Sequence, residues 1–266
     1  MNRVATTFGL LRQEGRAALM PYLTIGYPEL ESALTLVPTL VDAGADLIEL
    51  GVPFSDPLAD GATIQASSQQ ALRNGMTLSL CLEQAATLRT RGVIVPFILM
   101  GYYNPLLQMG LTCFARCAAQ AGIDGVIVPD LPLEEAEALQ DALRGKEIDL
   151  VFLLAPTSDA SRVRDVARQA GGFLYLVSLT GVTGARSELP PDLEDLVARV
   201  RAATDLPLAV GFGISTPAEA ARVARVADGV IVGSALIAAI GRGPDPAQAA
   251  HDLTASLRAA VDRSGG

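Results

Sequence analysis

Short apolar runs alternate with longer amphipathic stretches along the whole chain. The runs fall at Ala18–Thr24, Asp46–Leu50, Val95–Met100, Gly125–Val128, Leu150–Leu154, Leu174–Val177, Leu208–Val210 and Gly229–Val232. Their length and near-continuous hydrophobicity suit strands covered on both faces. Helical patterns lie between them, at Ser32–Asp42, Leu133–Leu143, Ser161–Gln169 and Thr216–Arg225, with Pro217 near the first turn of the last. A phrase recurs at the helix-to-strand joints: Ala43-Gly44-Ala45-Asp46, Ala121-Gly122-Ile123-Asp124 and Ala170-Gly171-Gly172, with a looser copy at Val226-Ala227-Asp228. Glycine there supplies a helix C-cap, as in the turn of a βα repeat. Strict alternation predicts an α/β fold of the (β/α)₈ TIM-barrel type. An open doubly wound sheet shares the alternation, because a sequence shows order and not closure. Additional helices are expected at Val4–Glu14 and Pro246–Arg263, and Asn74-Gly75 should divide Ala62–Arg89 into two. With no linker, charge block or low-complexity stretch, residues 1–266 read as one domain.

Composition narrows the classes. The chain is half hydrophobic and carries a net charge of −9, which argues against nucleic acid or an anionic membrane as partner. Its longest apolar stretch, Gly92–Met100, falls short of the ~20 residues a membrane helix needs. The N-terminus lacks the pattern of a secretion signal, so a cytoplasmic address is expected. Cys81, Cys113 and Cys117 make no disulfide framework and read as small apolar residues in a reducing compartment. A single lysine, Lys146, and a single histidine, His251, leave little from which to build a lysine imine or a histidine metal site.

Candidate chemistry gathers after the strands. Glu49 lies inside the apolar run Asp46–Leu50, where a carboxylate is costly unless used, paired or neutralised. Asp60 follows after Gly51-Val52-Pro53-Phe54-Ser55-Asp56-Pro57-Leu58-Ala59. Two acids on one strand-loop unit suit acid/base work. The competing readings are a hydrogen-bond network for Glu49 and a helix N-cap for Asp60. Gly211-Phe212-Gly213-Ile214-Ser215 and Val232-Gly233-Ser234-Ala235, after the seventh and eighth strands, suit an anion at a helix N-terminus, the usual phosphate position in such barrels. Ser178–Pro191 is long and rich in small residues, as a lid would be. Gly101-Tyr102-Tyr103-Asn104-Pro105 and Pro129-Asp130-Leu131-Pro132 read as rigid turns or a docking surface.

The Leu47–Gly61 block resembles the signature of the tryptophan synthase alpha chain family. The likeness continues, in family order, through the Gly101, Val128, Gly181, Gly211 and Gly233 blocks and covers essentially the whole chain. It implies a carbon–carbon lyase of tryptophan biosynthesis that cleaves indole-3-glycerol phosphate to indole and glyceraldehyde 3-phosphate. It further implies Glu49 as catalytic acid/base and Asp60 as partner of the indole N–H. Tyr175, Tyr22, Ile64, Met100 and Phe212 would line the substrate. Thr183 would close over it, and Gly184, Gly213, Gly233 and Ser234 would hold the phosphate. Tyr22 and Met100 stand where the family often has Phe and Leu. The resemblance implies no cofactor on this chain. It also implies a beta-chain partner carrying pyridoxal phosphate, docked through Pro53, Asp56, Asn104 and Pro132 in an alpha2-beta2 assembly. A sugar-phosphate isomerase or epimerase would share only the phosphate turns, and a non-catalytic activating subunit would not need the acid pair.

Overall fold

The computed structural model describes residues 2–177, 193–211 and 213–262. Its strands are β1 (Ala18–Thr24), β2 (Ile48–Gly51), β3 (Phe97–Met100), β4 (Gly125–Ile127), β5 (Asp149–Val151), β6 (Leu153–Leu154), β7 (Leu174–Val177), β8 (Leu208–Gly211) and β9 (Gly229–Val232). The sheet runs β5-β4-β3-β2-β1-β9-β8-β7-β6, and every pairing is parallel. Its two outer members are halves of one expected strand, Leu150–Leu154, parted only by Phe152. The Phe152 carbonyl accepts the Tyr175 N–H at 3.0 Å, so the hydrogen bonding continues across the break and brings the sheet round on itself. Closure excludes the open doubly wound alternative.

The helices are α1 (Arg3–Gln13), α2 (Ala33–Asp42), α3 (Ala62–Arg73), α4 (Leu78–Thr90), α5 (Tyr103–Met109), α6 (Leu111–Gln120), α7 (Glu137–Leu143), α8 (Ala160–Gln169), α9 (Leu193–Arg201), α10 (Pro217–Ala224), α11 (Ser234–Arg242) and α12 (Pro246–Asp262). The break expected at Asn74-Gly75 separates α3 from α4. Two stretches differ from expectation. Leu133–Leu143 is a 3₁₀ turn, Leu133–Glu135, followed by α7. The Tyr103-Asn104-Pro105 segment opens a seven-residue helix, α5. Pro105 falls in the first turn, where its missing N–H has no intrahelical partner to serve. Gly110, at φ +82°, ends α5 and starts α6. Pro38 sits inside α2 and leaves the Leu34 carbonyl without its helical donor; the Arg91 guanidinium supplies one at 3.2 Å.

Strand residues alternate between two cores. One face packs under the helices through residues such as Leu19, Leu23, Leu50, Leu99 and Leu176. The other fills the barrel with Ala18, Met20, Leu47, Ile98, Ile127, Val151, Phe173, Ala209 and Ile231. From below, Val4, Phe8 and Leu11 of α1 join that interior, with the Phe8 ring 5.7 Å from Phe173.

The N-terminal rim is stitched by the aspartates of the recurring phrase. Asp46, Asp124 and Asp228 each exchange backbone-to-backbone and side-chain-to-backbone bonds with the start of the preceding strand. The Leu19, Phe97 and Leu208 N–H groups donate to their carboxylates at 2.8, 2.9 and 2.8 Å. In return the Asp46, Asp124 and Asp228 N–H groups donate to the carbonyls of those residues. Each carboxylate also meets arginine: Arg16 and Arg258 at Asp46, Arg89 and Arg3 at Asp124, and Arg201 at Asp228. Arg89 in addition donates to the Gly122, Val93 and Val95 carbonyls and lies 3.7 Å over the Phe97 ring. No helix among the described residues is long and apolar enough to cross a membrane.

Candidate active site

At the opposite rim no cation among the described residues pairs with Glu49 or Asp60. Leu47, just before β2, faces the barrel interior, so the period of the strand also aims Glu49 into the barrel. Glu49 is 1% exposed and its Oε2 has no hydrogen-bond partner among the described residues. Burial, and then the nearby Asp60 charge, push its carboxyl from 4.5 up to about 8. Asp60, 9% exposed, ends the loop that follows β2. Burial raises its carboxyl to about 6, opposed by a hydrogen bond from Tyr102. Among the described residues no arginine or lysine enters either shift. Glu49 Oε2 joins no hydrogen-bond network among the described residues, and the N-cap of α3 is Gly61, with no side-chain cap.

Tyr102, which the sequence did not single out for the site, braces that loop. Its hydroxyl accepts the Ala59 N–H at 2.9 Å and its ring stacks on Phe54 with centroids 5.1 Å apart. The signal was available in the Gly101-Tyr102 block, but a tyrosine in a turn looks the same whether it faces solvent or a carboxylate.

Tyr175 of β7 belongs to the interior core, and Tyr22 of β1 follows the inward Ala18 and Met20 by alternation and is in register with Glu49. Both are buried, and burial raises both phenols, with Asp60 the next cause at Tyr22 and Glu49 at Tyr175. Their hydroxyls need glycine opposite: a Cβ on Gly51 would lie 2.1 Å from the Tyr22 oxygen, and one on Gly211 2.1 Å from the Tyr175 oxygen. Ile64 is buried in the first turn of α3, and Met100 is half-buried at the end of β3 beside the interior core.

Gly213 follows β8 at φ +79°. Gly233 caps α11 and Ser234 is its first residue. A helix start leaves its first N–H groups without intrahelical partners, a ready anion site. Phe212, Thr183 and Gly184 lie outside the described residues, as do Leu179 and Arg186 of the expected lid. Of the expected docking residues, Asp56, Asn104 and Pro132 are exposed and Pro53 is buried. Leu58, unremarked in the sequence, is 84% exposed, and Leu107 on α5 is also exposed. The Asp130 carboxylate accepts the Tyr103 N–H at 2.9 Å, which ties the loops after β3 and β4 together on this face.

Lys146 lies in the turn between α7 and β5 and His251 on α12, neither on a strand or on a loop leaving the C-terminal end of one. Among the described residues no group of three or more His, Cys, Asp and Glu is placed to hold a metal ion. Cys113 and Cys117 have their sulfurs 4.0 Å apart on α6, unbonded.

Comparison with known proteins agrees with this geometry. Residues 8–263 match the family described as tryptophan synthase alpha chain. The chain is similar to the tryptophan synthase alpha chain of Chloroflexus aurantiacus, 57% identical over 244 residues and covering 92% of each. That of Chloroflexus aggregans is 55% identical over 261 residues, covering 98% of this chain and 97% of the relative. Among solved structures, the alpha chain from Legionella pneumophila superposes with a TM-score of 0.92 at 39% identity, covering 99% of this chain and 98% of that one. A Mycobacterium tuberculosis tryptophan synthase chain gives 0.90 at 39%, covering 98% of each.

Proposed function

Because the chain belongs to the tryptophan synthase alpha chain family, we propose that it cleaves indole-3-glycerol phosphate to indole and glyceraldehyde 3-phosphate, with Glu49 and Asp60 as the reacting acids. One observation carries the residue assignment: a fully buried carboxyl with, among the described residues, no cation and an unpartnered oxygen, on the same strand-loop unit as a second acid held ionisable. With pKa values of about 8 and about 6, the free site at neutral pH holds Glu49 protonated and Asp60 ionised.

That pair matches what the bond cleavage needs. Glu49 donates its proton to C3 of the indole ring, and positive charge spreads to the ring nitrogen. Asp60 stabilises that charge through the ring N–H. The bond from C3 to the glycerol carbon then breaks, its electrons return to the ring, and the adjacent hydroxyl becomes the aldehyde as its proton passes to the ionised Glu49. The substrate ring serves as the electron sink, so the chain needs neither a lysine imine nor a metal for this step. Gly213, Gly233, Ser234 and Gly184 hold the phosphate. Tyr22, Ile64, Met100, Tyr175, Phe212 and Thr183 enclose the rest. No cofactor belongs to this chain, and residues 1–266 act as one cytoplasmic domain.

The partner is a tryptophan synthase beta chain, whose pyridoxal phosphate chemistry consumes the indole. Leu58, Leu107, Asn104, Asp56 and Pro132 offer it apolar anchors inside a polar rim on the face where indole leaves. Pro53, being buried, contributes through the shape of its loop. Indole release from indole-3-glycerol phosphate, measured with and without a beta chain, tests the reading. Slow release alone and faster release in the complex is expected. Release unaffected by any beta chain would reassign the protein as a free-standing lyase, and no release would end the proposal.

A further inference from the structure

A line of buried hydroxyls runs from the site into α3. Thr24 Oγ1 donates to the Tyr22 oxygen at 3.3 Å and lies 2.7 Å from Ser67 Oγ, and Ser67 Oγ donates to the Ile64 carbonyl at 2.8 Å. All three side chains are buried. Each hydroxyl has one proton to give. Thr24 spends its proton on the Tyr22 oxygen, so the 2.7 Å contact is bonded when Ser67 turns its proton from Ile64 to Thr24. Tyr22 is the acceptor at Thr24, and its own proton is left to give.

Position decides what that proton meets. Tyr22 stands between the two ends of the proposed site. Its oxygen lies against Gly51, two residues past Glu49, while a Cβ built on Gly233 would touch its Cβ and ring at 3.5–3.7 Å. A substrate with its phosphate at Gly233 and its reacting carbon at Glu49 must lay its glycerol chain past Tyr22. We infer that the Tyr22 hydroxyl donates a hydrogen bond to a glycerol oxygen of the substrate, its own oxygen held from behind by Thr24. This rests on the substrate proposed above, and it gives a polar task to a residue that the resemblance treated as packing.

The test compares the substrate with indole-3-propyl phosphate, which lacks both glycerol hydroxyls, in the full chain. Tyr22→Phe should lower kcat/KM for indole-3-glycerol phosphate about three- to tenfold, the range for one lost hydrogen bond. The inhibition constant of the propyl analogue should stay within about twofold, since it has no glycerol hydroxyl to accept the bond. Thr24→Val does not touch the substrate, but it removes the donor that holds the tyrosine oxygen in place. It should produce the same split in a protein whose circular dichroism matches wild type. Parallel loss for substrate and analogue, or no loss for Tyr22→Phe, overturns the inference. A wild-type ratio in Thr24→Val overturns the role given to the hydroxyl line. A wild-type protein that does not cleave the substrate refutes the functional reading instead, so the failures are distinguishable.

Discussion

The two rims of this barrel use the same residue type to opposite ends. Below, Asp46, Asp124 and Asp228 are each tied to an N–H at the start of a neighbouring strand and to arginine. Above, among the described residues, Glu49 and Asp60 have no cation, and Glu49 leaves an oxygen unpartnered in the interior. Burial raises carboxyls at both rims, Asp46 included, but there the Leu19 N–H and the Arg16 and Arg258 charges oppose it. A buried acid with partners fastens the strands it bonds; one without them stays free to bond a ligand.

Breaking the upper acid should have the largest effect. Glu49→Gln removes the only proton donor assigned to the ring and should lower kcat about 10³- to 10⁴-fold, read as indole release, with the fold intact. Loss of only a few-fold would place the proton transfer elsewhere. Breaking the lower rim should do the reverse. Asp124→Ala strips the carboxylate from Arg89 and the Phe97 N–H, and should cost about 3 kcal/mol in urea unfolding. Its kcat per folded molecule should remain within about threefold of wild type. Equal damage to kcat would erase the distinction between the rims.

Stability against pH sharpens the comparison next. Glu49 has a raised folded pKa, so between about 4.5 and about 8 the native state binds more protons than the unfolded chain. Its contribution is fully present below that window and is lost as pH rises through it. Glu49→Gln carries no such loss and should gain on wild type by at most about 1.4 kcal/mol per pH unit across the window. A difference that does not change with pH would mean the acid is not desolvated. The smallest effect belongs to Tyr102. With Asp60 ionised and Glu49 protonated in the active form, kcat/KM should peak between about 6 and about 8. Tyr102→Phe removes a hydrogen bond that lowers the Asp60 pKa, and should move the acidic limb up by about one unit. An unmoved limb would mean that Asp60 does not set it.

Much of this was legible in the chain because it depends on period. Strand runs such as Ala18–Thr24 and Gly229–Val232 coincide with β1 and β9 residue for residue, since burial on both faces leaves an unbroken apolar stretch. The same logic exposed Glu49, the one charge inside such a stretch. What depends on contacts between distant segments was not legible. The split at Phe152 shows only in the pairing of β5 with β4 and of β6 with β7, and α5 opens on a proline that reads equally well as a turn. The aspartates of the helix-to-strand phrase were visible, but their arginines come from as far away as Arg258. Tyr102, Thr24, Ser67 and the exposed Leu58 gain meaning only when the loop after β2 folds against β1 and β3.

The central claim is that Glu49 is kept uncharged at neutral pH by burial without a cation, and so has a proton to give. A direct titration of its carboxyl, by ¹³C resonance or carboxyl infrared absorption against Glu49→Gln, tests it. The account predicts a midpoint near about 8 in the ligand-free protein; a midpoint near the ordinary ~4.3 would contradict it.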